Sequence, residues 1–269
     1  MASETITKTI GVVVALCFVA AIFVSSAAVG LKPIQEQNKK LDLLKNILIA
    51  GDLYQEGSTN IGDTYKEKIK GEIINLETGD VVPKSEYDEI LNVENFNIKD
   101  VANSKKHGKE ISASEDIAKI KRMPKEVAIY KVLDKKNKVS KYILPIYGKG
   151  LWSTMYGFIA LDNNLQTIKG FTFYEHGETP GLGGEVDNPK WKSKWVGKQA
   201  YDDNWNVKIE VIKGQVDKDS PKASYQIDGL SGSTLTTRGV DNLVHFWLGE
   251  NGYKPFITKL KEGSNNEKI

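Results

Sequence analysis

The chain has 269 residues, a formal net charge of +2, 27% charged and 40% hydrophobic residues. That balance is ordinary for a folded protein and excludes global disorder. So small a charge gives no ground for a nucleic-acid partner, and one cysteine, Cys17, excludes an intrachain disulfide.

Ile10–Gly30 contains no charged residue. About 20 apolar residues at 1.5 Å each cross a hydrocarbon core of roughly 30 Å. A cleaved signal peptide is the alternative, because Ser25–Ala28 is a patch of small residues. The run exceeds the ~7–15 residues of a signal core, which favours a retained transmembrane helix. Leu16 stands where a small residue precedes a lipid-modified cysteine, so Cys17 reads as a small hydrophobe. Lys8 lies on one side of the run, and Lys32, Lys39, Lys40 and Lys45 lie on the other. Large domains translocate largely regardless of charge, so this asymmetry leaves orientation open.

Residues 1–9 read as a short tail, 10–30 as the span, and 31–125 as a membrane-proximal helix and α+β segment. Residues 126–260 form the main domain, and 261–269 a polar, frayed tail. Pro33–Ala50 predicts a partly amphipathic helix, and Ile111–Ile120 a short one. His107 sits in a lysine-rich stretch and reads as solvated.

From Glu126 the apolar period becomes that of strands. Val127–Leu133, Lys141–Tyr147, Trp152–Leu161 and Gln166–Tyr174 are separated by short turns, which implies an antiparallel meander. Pro189–Ala200 predicts a short helix, with Val207–Val211 and Tyr225–Asp228 as further strands. Val240, Leu243, Val244, Trp247 and Leu248 mark the apolar face of a helix over Thr237–Gly249. The fold class is α+β, a mainly antiparallel sheet with flanking helices, preceded by one N-terminal transmembrane helix.

Two segments carry chemistry. Asp228-Gly-Leu-Ser-Gly-Ser-Thr234 crowds hydroxyls and glycines into a turn before that helix, where free N–H groups and the dipole favour an anion. Gly177-Glu-Thr-Pro-Gly-Leu-Gly-Gly184 is a glycine-rich loop, either a tight turn or a surface approached closely by a ligand. Neither has the spacing of a dinucleotide-binding turn or a P-loop. Gly229-Leu-Ser-Gly-Ser233 nearly matches a nucleophile elbow, but Ser233 replaces the last glycine, and only His176 and His245 could serve as a triad base. His245 lies near the apolar helix face and reads as structural. No cluster has metal-ligand spacing. No catalytic residue and no metal site is assigned.

Asp228, Ser231, Gly232, Ser233 and Thr234 together resemble the flavinylation signature D-x-x-[S/T]-G-A-T, in which the last threonine is joined to FMN through a phosphoester. The stretch from His176 to Trp191 is similar to the companion loop of the same covalent FMN-binding family. With the N-terminal anchor and Phe246-Trp-Leu-Gly249, the chain resembles the C subunits of sodium-translocating NADH:quinone oxidoreductases. The resemblance is strong over about 147–260 and weak over 51–125.

The resemblance implies covalent FMN on Thr234, with Asp228, Ser231, Gly232, Ser233, Leu235 and Thr236 around it. Glu178, Thr179, Gly181, Leu182 and Gly183 would line the flavin, and Trp152 and Ser153 would contact it. Ser233 departs from the usual alanine, and Arg238 from the more familiar Asn or Ser. The implied protein relays electrons as one part of a multi-subunit reductase and lacks a complete active site of its own. It implies a flavin transferase as maturation partner. It also implies a bacterial cytoplasmic membrane, with the C-terminal domain on the periplasmic side. The equivalent flavin-carrying component of the related ferredoxin:NAD oxidoreductase (Rnf) complex shares the signature and is the nearest alternative. An anchored binding or scaffold domain without cofactor, its hydroxyls serving only as a helix cap, is the alternative from another class.

Overall fold

The computed structural model describes residues 6–266. The rest of the expected tails, residues 1–5 and 267–269, lies outside them. The described parts of both tails are helical: α1 spans Ile6–Ala50, and the last helix ends at Asn266. The chain divides into two compact units, one ending at Asp42 and the other beginning at Leu43.

The first unit holds most of α1. Its length and apolar composition suffice to cross a membrane. Leu16, Phe18 and Phe23 are exposed along it. The span and the membrane-proximal helix expected from Pro33 are one continuous helix with Pro33 inside it.

In the second unit α2 (Ile61–Lys68) leads into β1 (Ile69–Asn75), followed by α3 (Ile98–Asn103), β2 (Gly108–Glu110) and β3 (Arg122–Pro124). Then come β4 (Glu126–Leu133), β5 (Val139–Lys149), β6 (Thr154–Asp162) and β7 (Ile168–Glu175), close to the predicted meander. The five-stranded antiparallel sheet has the order β1-β4-β5-β6-β7. Its edge strand β1 comes from the 51–125 stretch, pairing Gly71 with Tyr130, so this stretch packs with the main domain rather than apart from it.

Several local expectations are corrected. Ile111–Ile120 is not helical: the Asp116 carboxylate accepts Ile120 N at 2.8 Å and Lys121 N at 2.7 Å and winds the backbone into a turn. His107 is not solvated. It is buried, with Nε2 2.8 Å from Asp88 and Nδ1 3.1 Å from Glu126. The helix expected over 189–200 is only α4 (Pro189–Lys192) plus a 3-10 turn through Trp195. The late strands shrink to β8 (Glu210–Val211) and β9 (Gln226–Ile227), which pair in parallel.

The long helix α5 (Thr234–Leu248) starts three residues before the expected Thr237. It lies on β5, where a Cβ at Gly148 would meet Leu243 Cβ at 2.4 Å. Trp247 is fully buried and donates Nε1–H to the Tyr147 carbonyl at 2.7 Å. After α5, Tyr253 donates to the Pro145 carbonyl, and α6 (Lys254–Asn266) follows. Beyond the other edge, Trp195 stacks on Phe171 of β7 with centroids 3.9 Å apart. Each such aromatic buries a large apolar area and adds strongly to the core. The result fixes three loops against the start of α5.

Candidate functional site

The first of these loops leaves β9 at Asp228. Its carbonyl accepts Trp191 Nε1 at 2.8 Å, and its carboxylate accepts Lys194 Nζ at 2.5 Å and Val216 N at 2.7 Å. Desolvation pushes the Asp228 carboxyl up, but these bonds outweigh it and the net shift is downward. Asp228 is thus a latch to α4 and its following turn, its carboxylate committed to Lys194 and Val216.

The chain then turns through Gly232, whose φ of +70° suits glycine. Ser231 and Gly232 are exposed, Ser233 is buried, and Thr234 is exposed as the first residue of α5. The buried hydroxyls beside it are engaged. Ser233 Oγ lies 3.0 Å from Thr236 Oγ1, Thr236 donates to Glu178 at 2.7 Å, and Thr237 Oγ1 accepts Leu230 N at 3.0 Å. Ser233 makes no capping bond to the helix. Leu235 points outward, 54% exposed.

Thr234 lines a pocket of about 240 Å³ together with Gly229, Thr237, Lys213, Arg238 and Asp241. Burial pushes the Asp241 carboxyl up. The volume lies below the roughly 300–1,000 Å³ of sites that enclose a whole ligand. Lys213, Arg238, the Thr234 hydroxyl and a helix N-terminus suit an anionic group such as a phosphate, against the single carboxylate of Asp241 on the same lining.

The second loop, Gly177–Gly184, turns on the Thr179 carbonyl, which accepts Leu182 N at 3.1 Å and Gly184 N at 2.8 Å. Gly181 adopts φ +74°. Thr179 is exposed, and Leu182 is 46% exposed. A Cβ on Gly232 would sit 3.2 Å from Leu182 Cδ2, which places Leu182 over the signature turn. Gly183 is buried where a Cβ would strike Thr236 Oγ1 at 2.6 Å.

The third loop, 150–153, exposes Trp152 (67%), while Ser153 Oγ accepts Gly177 N at 2.7 Å. Glu178 ties all three together and is only 5% exposed. It accepts from Leu151 N, Trp152 N, Ser153 N, Ser153 Oγ and Thr236 Oγ1. Desolvation pushes its carboxyl up, and the bonds from Thr236, Ser153, Trp152 and Leu151 outweigh it, leaving a net downward shift.

The fold therefore brings Trp152, Ser153, Glu178, Thr179, Gly181, Leu182 and Gly183 together with the Ser231–Thr236 turn. Trp152, Leu182 and Leu235 form exposed apolar surface at this place. A planar apolar body with an anionic end fits such surroundings, and FMN has both. Sequence reasoning missed Lys213, which lies in a polar run with no period. It named His176 only as a possible triad base and as the start of the companion loop; its Nδ1 accepts Glu178 N at 3.2 Å while Nε2 bonds Asp187 at 2.7 Å.

Fold and site define an FMN-binding domain protein: residues 150–249 match the family described as FMN-binding domain. The chain belongs to the family of C subunits of Na(+)-translocating NADH-quinone reductases. It is 43% identical to the Pseudomonas aeruginosa member over 265 residues, covering 97% of this chain and 98% of that protein. It is 39% identical to the Yersinia pestis member over 264 residues, covering 97% and 96%. The crystal structure of Shewanella oneidensis NqrC superposes with a TM-score of 0.74 at 37% identity, covering 84% of this chain and 99% of that one.

Proposed function

We propose that this chain is the membrane-anchored flavin subunit of a sodium-translocating NADH:quinone reductase, with FMN esterified through its phosphate to Thr234 Oγ. The observation that carries the reading is the state of the hydroxyls. Ser233, Thr236 and Thr237 are engaged in internal hydrogen bonds, and of the two exposed hydroxyls, Ser231 and Thr234, Thr234 is the one that lines the pocket with Lys213 and Arg238.

The bound FMN would accept and release electrons one or two at a time. The protein's own part is to hold and orient it. A phosphodiester keeps about one negative charge, and the first turn of α5 stabilises such an anion by about 0.3–1 kcal/mol when exposed and up to about 2 when partly buried. Trp152, Leu182 and Leu235 supply apolar surface for the ring system. The ester retains the cofactor, which leaves the non-covalent contacts to set its orientation. A flavin transferase supplies the FMN group during maturation. The other reductase subunits are the electron partners, and the domain works on the periplasmic side of the cytoplasmic membrane.

The test co-expresses the full chain with a flavin transferase and denatures it in detergent. A yellow-fluorescent gel band is expected from the wild type and none from Thr234→Val. A dark wild-type band overturns the reading, and fluorescence that survives Thr234→Val moves the ester elsewhere. A reporter that is active only in the cytoplasm, fused after Ile269, should stay silent.

A further inference from the structure

We infer that Glu178 is a positioning residue that docks the Trp152 loop onto the first turn of α5 before any flavin is present, and is not itself a flavin ligand. The inference rests on the reading of Thr234 as the attachment point and deepens it.

Hydrogen-bonding capacity comes first. An ionised carboxylate only accepts, with about four lone-pair sites. Glu178 receives five donors. Oε1 takes Trp152 N at 3.0 Å, Ser153 N at 3.0 Å and Ser153 Oγ at 3.1 Å, and Oε2 takes Leu151 N at 3.1 Å and Thr236 Oγ1 at 2.7 Å. No acceptor site is left for a ring N–H of a flavin. The carboxylate is also walled in: a Cβ on Gly150 would come within 2.6 Å of Oε1, and one on Gly183 within 3.0 Å of Oε2.

Glu178 cannot donate, so Thr236 gives its proton to Oε2. Thr236 Oγ1 must then accept from Ser233, and the Ser233 hydroxyl is fixed too. One carboxylate thereby sets three successive amides of the Trp152 loop and the orientation of two hydroxyls flanking Thr234. All of these bonds are made within the protein alone. A buried charge with this many donors is costly to disrupt, because the freed N–H groups have few other acceptors.

The test uses the full chain and two readouts. In a Thr234→Val background, which lacks the attachment hydroxyl, hydrogen exchange is followed at the amides of Leu151, Trp152 and Ser153. Protection is expected in Thr234→Val alone; adding Glu178→Gln, which puts an amide donor where Oε2 accepted, should lower it most at Leu151, because the amide oxygen can still accept from Trp152 and Ser153. In the flavinylated chain, visible circular dichroism reports how rigidly the ring is held. Glu178→Gln and Thr236→Val should both collapse the flavin band towards that of free FMN, and Thr236→Ser, which keeps the donor, should restore it. If Glu178 were a flavin ligand, exchange in the flavin-free chain would be indifferent to Glu178→Gln, and Thr236→Val would keep its band. If Glu178 served stability alone, both variants would melt earlier with unchanged dichroism. Either result overturns the inference. A wild type without covalent flavin refutes the Thr234 reading instead, while the exchange experiment still decides the role of Glu178.

Discussion

Trp191 Nε1 donates to the Asp228 carbonyl at 2.8 Å, so the helix that follows the glycine-rich loop holds the first residue of the signature turn. The two segments singled out in the sequence are thus physically joined, 37 residues apart. Trp191→Phe keeps a ring against Phe171 and Trp195, removes the donor and leaves part of the buried indole volume unfilled. A lost hydrogen bond that strands a partly buried acceptor costs about 1–3 kcal/mol. Thermal denaturation should show a melting point lower by several degrees, at roughly 2–4 °C per kcal/mol for a domain of this size.

Gly239 lies where α5 crosses the end of β5. A Cβ there would come within 2.4 Å of the Lys149 carbonyl, a backbone atom that cannot swing aside. Gly239→Ala should therefore cost about 1–3 kcal/mol as overpacking, despite the better helix propensity of alanine. Urea denaturation would check this, and an unchanged midpoint would mean that the helix can lift off the sheet freely.

His107 is 5% exposed and has a carboxylate on each ring nitrogen, Asp88 at 2.8 Å and Glu126 at 3.1 Å. It joins the β2 segment to β4 and to the loop before α3. His107→Leu leaves both carboxylates without this partner, although Lys106 still reaches Asp88. A loss of about 1–3 kcal/mol in urea denaturation is expected. The flavin spectrum should stay as in the wild type, since none of these groups touches the site.

Acid should weaken the latch at Asp228. The folded state holds this carboxyl below its ordinary range. A group with a depressed folded pKa adds stability above its unfolded pKa, near ~4, and loses it as pH falls through the folded value. The wild type should therefore melt above Asp228→Asn at neutral pH, with the gap closing below about pH 4. Melting curves from pH 7 down to about 3 test this, and a gap that widens in acid would contradict the sign.

Much of the architecture follows from the sequence because it rests on local periodicity. The uncharged run gave the long N-terminal helix, and the four apolar stretches from Val127 to Tyr174 gave the meander strand by strand. The face from Val240 to Leu248 gave α5. Where side-chain hydrogen bonds or long-range strand pairing decide, apolar periodicity is not enough. Asp116 captures backbone amides and abolishes a helix between Ile111 and Ile120. The pairing of β1 with β4 draws an uninformative stretch into the main sheet.

At the site, the sequence by itself determined where the two segments rich in glycine and hydroxyls lie. A crowded run of hydroxyls and glycines before a helix, and a second glycine-rich loop, are visible as composition. Only the tertiary structure decided what each one does. Asp228 faces Lys194, and Glu178 gathers donors from the Trp152 loop and from Thr236 of α5. Hydrogen bonds between residues 25 to 58 positions apart, such as those from Ser153 and Thr236 to Glu178, leave no trace in a local pattern.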